Sequence, residues 1–200
     1  MPKISVLNQF PGFHSLMRIK KKKHNISKIM KQGGPDDFQT PPKALLPLFP
    51  YLKKDWIIWE CACGKGNLTN KLKQKGFKVV STDIKMTKDK RFSFFKYAPR
   101  FFNCIITNPP FSKKTEFIEK CYKLKVPFAL LLPLSALETK KRQEQWKKGL
   151  QIIILNERLH FETPDNKQSH CWFASAWFTY GLNLPKDITF VEIKLINPLI

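Results

Sequence analysis

The chain has 200 residues, 42% hydrophobic and 13% aromatic, which supports one domain with a full-sized core and excludes a wholly disordered chain. Its 36 Lys and Arg against 15 Asp and Glu give a formal net charge of +21, an excess that fits a polyanionic partner, although heavy Lys codon use in an AT-rich genome gives the same sign. No apolar run reaches the roughly 18 residues of a membrane-spanning helix, the N-terminus lacks a signal peptide's apolar stretch, and an odd five Cys then fits reduced thiols in a non-secreted, cytoplasmic or nuclear protein.

Residues 1–35 are basic, weakly periodic and closed by Gly33-Gly34-Pro35, which predicts a flexible leader. Its run Lys20 to Lys23 reads as a nuclear address, a phosphate-gripping arm or a solvated charge run. A single domain is expected over 36–200. In "DDFQTPPKALLPLFPYL" the pair Pro41-Pro42 fits a helix start, Thr40 is a candidate N-cap, and Ala44, Leu45, Leu48 and Phe49 follow at helical spacing. "WIIWECACGKGNLTNKLKQKGFKVVSTDI" reads as a buried strand, a Gly-bearing turn, a short helix ending near Gly76 and a second strand ending at Asp83, a βαβ unit.

A basic, aromatic stretch without period leads to a buried strand over Asn103 to Thr107. Ser112 is a candidate cap for a helix with an apolar stripe of Phe117, Ile118, Cys121, Tyr122 and Leu124. "FALLLPLSAL" is a strand that must end near Pro133. A polar helix of about ten residues up to Gly149, the strand "QIIIL", a polar loop around Pro164 to Ser169, the strand-like "CWFASAWFTYG" and the alternating "DITFVEIKLI" complete the chain. Strands alternating with helices predict an α/β fold, a mainly parallel sheet covered on both faces.

"ECACGKGN" follows the first strand and opens a helix. Gly64 and Gly66 permit a tight turn and a close ligand, and the helix start offers free N–H donors. Asp83 ends the second strand at the distance where such folds place an acid for ribose hydroxyls. The dinucleotide fingerprint lacks its third glycine, since Asn67, Leu68 and Thr69 follow Gly66, so an adenosyl cofactor fits better than NAD. Cys61 and Cys63 have no second Cys pair at zinc spacing and read as buried thiols rather than metal ligands.

"FNCIITNPPF" ends a buried strand on Asn108-Pro109-Pro110-Phe111. An exocyclic amine on a nucleobase is a poor nucleophile until both its hydrogens are accepted and its lone pair is aimed. The Asn108 side-chain oxygen and the Pro109 carbonyl can accept them. Consecutive prolines remove competing N–H groups, and Phe111 offers a flat face for an unstacked base.

With Thr40-Pro41-Pro42, Glu60 to Gly66, Asp83 and Asn108 to Phe111 in this order, the chain resembles the class I S-adenosylmethionine-dependent methyltransferases of the adenine-N6 group over about residues 36–182. It is also similar to small phage or virus DNA adenine methyltransferases that open on D-x-F-x-T-P-P. The resemblance implies a Rossmann-like, seven-stranded sheet with one antiparallel strand, for which "CWFASAWFTYG" is the candidate. It implies that Phe38, Gln39, Thr40 and Pro41 line the methionine end of S-adenosylmethionine. Glu60, Cys61, Ala62, Cys63, Gly64 and Gly66 would frame the turn over it, and Asp83 with Ile84 would hold its ribose. Asn108 would face both cofactor and target, with Pro109, Pro110 and Phe111 completing the catalytic loop.

Two departures stand out. "RFSFFKYAPRFF" has no acid to read the cofactor adenine, so Ser93 or a backbone carbonyl substitutes or affinity is weak; and no long target-recognition segment lies between the two motifs or after the last strand, so selectivity is expected from loops, the leader or a partner protein. The expected activity is methylation of adenine N6 in nucleic acid, DNA favoured over RNA. The alternatives are an RNA adenine-N6 enzyme, a protein glutamine methyltransferase, which the charge disfavours, and a non-catalytic nucleic-acid-binding subunit. Trp172 and Phe173 are either a second stacking wall or core. His160 and His170 read as ordinary polar positions, and Cys171 lacks a neighbouring base.

Overall fold

The structure, a computed structural model, describes residues 38–162, 168–169 and 173–193. The expected leader over 1–35, His170, Cys171, Trp172 and most of the loop after Pro164 lie outside the described residues.

Among the described residues nine strands follow in chain order: β1 (Ile57–Glu60), β2 (Lys78–Ser81), β3 (Cys104–Thr107), β4 (Phe128–Pro133), β5 (Gln151–Leu155), β6 (Phe161–Glu162), β7 (Gln168–Ser169), β8 (Ser175–Tyr180) and β9 (Ile188–Val191). Seven of them form one sheet in the order β2-β1-β3-β4-β8-β5-β9, and β6 with β7 forms a small second one. All neighbours in the large sheet are parallel except β8, which runs antiparallel to both β4 and β5. The expected mainly parallel, seven-stranded, Rossmann-like sheet with its antiparallel strand in "CWFASAWFTYG" is therefore present.

The central strands are apolar from end to end because both faces are covered. Every residue of β3 and β4 is buried, as parallel strands between helical layers must be. Alternate residues divide between two cores. Ile58, Ile106, Leu131 and Trp177 pack under a 3-10 segment (Pro42–Tyr51) and helix α1 (Asn67–Gln74). Trp59, Ile105, Leu130 and Phe178 pack under helices α2 (Lys114–Leu124) and α3 (Lys140–Trp146). Among the described residues no helix is long and apolar enough to cross a membrane.

Four local expectations are corrected. The helix after Pro41 is a 3-10 segment throughout, because Pro47 and Pro50 bring no N–H to an α ladder. Thr40 does not cap it; Pro41 holds that position. Ser112 is not the cap of α2 either: it lies in the 3-10 turn Phe111–Lys113, and α2 begins at Lys114. The polar helix before Gly149 is only seven residues long. Strand β9 closes the sheet at its far edge with Ile188 and Phe190 turned outward.

Candidate active site

Strands β1 and β3 are neighbours, but β1 leads on to β2 at one side of the sheet and β3 to β4 at the other, so the connections from their carboxyl ends depart in opposite directions. Such a reversal opens a crevice beyond the strand ends, where open α/β sheets bind ligands. Three loops meet there: 61–66 after β1, Thr82 and Asp83 after β2, and 108–111 after β3. They border a cavity of about 500 Å³.

The glycine turn is stitched to the end of β2. The Thr82 amide donates to the Glu60 carbonyl at 2.8 Å and the Cys63 amide to the Thr82 carbonyl at 3.1 Å. Gly64 and Gly66 both have positive φ, +51° and +86°, the region where a side chain is strained. Asp83 fastens the turn from the side: its carboxylate accepts from the Gly64 amide at 3.0 Å and the Lys85 amide at 2.8 Å. Each oxygen keeps further acceptor capacity toward the cavity.

Residues 38–40 cross over this floor. The Gln39 side-chain oxygen accepts from the Lys65 amide at 2.8 Å, and its amide lies so close to Gly64 that a Cβ there would stand 2.7 Å from it. The Asn67 side chain donates to the Thr40 carbonyl at 3.3 Å, and the Asn108 amide nitrogen to the Phe38 carbonyl at 3.5 Å. The Asn108 side-chain oxygen is buried and has no hydrogen-bond partner among the described residues. A buried acceptor left unpaired costs about 1–3 kcal/mol, so a ligand donor is the natural completion of this loop.

Glu60, 2% exposed, ends β1 inside the cavity wall. Burial pushes its carboxyl from about 4.5 up to about 8, helped by the nearby Asp83 charge and opposed by the hydroxyl of Thr69, which donates to it. Burial likewise raises the Cys63 thiol to about 12 and the Cys61 thiol further. Because the folded chain holds the Glu60 proton more tightly than the unfolded one, the stability from this group is fully present below about pH 4.5 and is lost as pH rises towards about 8. Glu60→Gln is therefore expected to gain stability relative to the parent across that window and to gain no more above it, read as paired urea midpoints from pH 4 to about 9.

Of the residues singled out from sequence, Phe38, Gln39, Thr40, Glu60, Cys61, Ala62, Cys63, Gly64, Asp83, Ile84, Asn108 and Pro110 line the cavity. Pro41, Gly66 and Pro109 are not among its lining residues. Phe111 requires a correction. It is 6% exposed, stacked on Phe38 at 6.2 Å and met edge-on by Phe161 at 6.5 Å and Phe173 at 5.3 Å. It packs in this ring cluster and does not line the cavity; half-buried Phe38 does. Phe173 acts as packing for this cluster.

Sequence reasoning missed Asn67, Leu68, Lys85, Phe94, Phe95, Lys113 and Phe117 on the cavity wall. Asn67 and Leu68 were readable as the first turn after the glycines; Phe117 was read only as part of a helix's apolar stripe, and Phe94 and Phe95 carried no periodic signal. Ser93, named as a substitute for the absent acid, is buried and lines the cavity. Its stretch is held by Lys120 of α2, whose ammonium donates to the Phe94 and Tyr97 carbonyls and lies 4.8 Å from the Phe94 ring. Lys120→Met keeps the stem and removes those bonds. Faster hydrogen exchange over residues 93–97 and a loss of about 1–3 kcal/mol are expected.

No family model matches the chain, and no curated protein matches it in sequence. Solved structures match it in part. A dimethyladenosine transferase from Plasmodium falciparum is 15% identical with a TM-score of 0.47, over 71% of this chain and 62% of that one. A modification subunit ascribed to a type I restriction enzyme of Vibrio vulnificus YJ016 is 11% identical at 0.49, over 86% and 50%. A protein ascribed to the class I S-adenosylmethionine-dependent methyltransferases of Listeria monocytogenes is 15% identical at 0.43, over 86% and 71%. The chain thus spans less than two thirds of the length of the first two. These three TM-scores all lie below 0.5, and residue roles here follow from this chain's own geometry.

Proposed function

We propose that the chain transfers a methyl group from S-adenosylmethionine to the N6 amine of adenine in nucleic acid, DNA favoured over RNA. The observation that carries this reading is the unpaired, buried side-chain oxygen of Asn108 at the tip of β3, across the strand reversal from the glycine turn. When bound there, S-adenosylmethionine would supply an electrophilic methyl group, its sulfur keeping the electron pair of the bond that is broken.

The residues present fit such a group. Asp83 has acceptor capacity for ribose hydroxyls, the glycine turn admits a close approach, and Glu60 offers a carboxyl beside which a cation favours the ionised form. Asn108 Oδ1 accepts one amine hydrogen and the Pro109 carbonyl the other, which frees the nitrogen lone pair for attack. These acceptors also hold the hydrogens through which the methylated amine sheds its surplus proton to water.

One observation favours a second reading, a non-catalytic subunit of the same fold: the Gln39 amide lies over Gly64 and takes the Lys65 N–H. Incubation of the full chain with methyl-labelled S-adenosylmethionine and DNA or RNA oligonucleotides separates the two. Label on adenine, strongest on DNA, supports the enzyme. Absence of label, together with no heat of binding for S-adenosylhomocysteine, supports the subunit.

A further inference from the structure

Between β2 and β3 the chain departs from the carboxyl end of one strand and returns to the amino end of the next, borders the cavity with Ile84, Lys85, Ser93, Phe94 and Phe95, and forms no strand of its own. This stretch has two chemically distinct faces. Inward, Phe94 stacks on Phe117 at 4.4 Å and meets Trp59 at 5.2 Å; Tyr97 and Phe102 lie edge-on to the same indole at 6.4 and 5.0 Å. With the Lys120 bonds to its carbonyls, these contacts make it a fixed ledge.

Outward, the ledge carries charge and bare rings. Lys85, Lys88, Lys90, Arg91, Lys96 and Arg100 are all exposed, and Asp89 is the one acid among residues 84–103. Phe95 is 44% and Phe101 66% exposed. The Arg100 guanidinium stands 5.1 Å from the Phe101 ring centre, so a cation and an aromatic face are presented side by side.

We infer that this outward face is a platform for single-stranded nucleic acid that leads an unpaired strand towards the cavity. Phosphates alone would need only the cations, and a duplex offers phosphates and base edges but no free base faces. An unpaired strand offers both phosphates and faces, which is the complement of interleaved cations and exposed rings. The inference rests on the adenine-methylation reading for its purpose: an amine held in a stacked pair must first be freed at a cost of a few kcal/mol, and a strand held unpaired has no such cost. Its binding prediction is independent of any transfer.

The test is fluorescence anisotropy of the full chain, without cofactor, against a labelled oligonucleotide of about 20 nucleotides, alone and annealed to its complement. The single strand is expected to bind at least about tenfold tighter. Phe101→Ala is expected to weaken it about tenfold with Phe101→Tyr restoring it, as for loss of one base stack, and Arg100→Gln to reduce the salt slope by about one. Equal or tighter duplex binding, or Phe101→Ala within about twofold of the parent, overturns the platform. Methyl transfer is scored separately: transfer without strand preference removes the platform and leaves the methylation reading, whereas strand preference without transfer does the reverse.

Discussion

Asn108→Ala is expected to lower methyl transfer to adenine by about a hundred- to a thousandfold, the scale seen when one preorganised hydrogen-bonding group is removed from a reacting centre. The same change should leave stability within about 1 kcal/mol of the parent, because the deleted oxygen is buried without a partner and the deleted nitrogen makes one long bond, to the Phe38 carbonyl at 3.5 Å. That dissociation of activity from stability marks a group held for a ligand. Activity assays and urea midpoints on the same preparations read both numbers. A variant that loses stability in step with activity would make Asn108 a structural residue instead.

The largest expected loss of stability is at Trp177. This side chain is fully buried on β8, opposite Leu131 of β4 and Ile153 of β5, and its indole N–H donates to the Ala44 carbonyl at 2.7 Å. It thereby fastens the 3-10 segment, and with it Gln39 and Thr40, to the sheet. Trp177→Ala should cost about 3–5 kcal/mol, a large share of a domain's net 5–15 kcal/mol. Trp177→Phe keeps much of the apolar contact and should cost about 1–3 kcal/mol, mostly the lost hydrogen bond. Urea midpoints should fall with unchanged slope; a loss below about 1 kcal/mol for alanine would show that the site's cover is held by other contacts.

The parts of the fold legible in sequence are those whose signal is local. β3, β4 and β5 are short, continuous apolar runs, and their positions follow from that alone. Over the ten residues Pro42–Tyr51 a period of 3.0 cannot be told from 3.6, and only the effect of Pro47 and Pro50 on the hydrogen-bond ladder distinguishes them. The ledge after β2 takes its shape from Trp59, Phe117 and Lys120, which come from elsewhere in the chain, so no window of its own sequence could reveal it.

The same division runs through the site. Gly64, Asp83 and Asn108 were legible because backbone geometry, strand ends and donor chemistry belong to single residues. The place of Phe111 was not, because the rings it packs against, Phe38, Phe161 and Phe173, are spread across the chain. Gln39 was read as a wall residue; its bond to the Lys65 amide across the turn is a tertiary fact.

The most direct test of the central claim is mass spectrometry of nucleosides hydrolysed from host DNA and RNA after expression of the parent chain or Asn108→Ala. Two acceptors at the end of β3 facing a methyl donor predict a rise in N6-methylated adenine nucleosides with the parent and none with the variant. An equal rise from both proteins, methylation of another base, or no rise from the parent would contradict it.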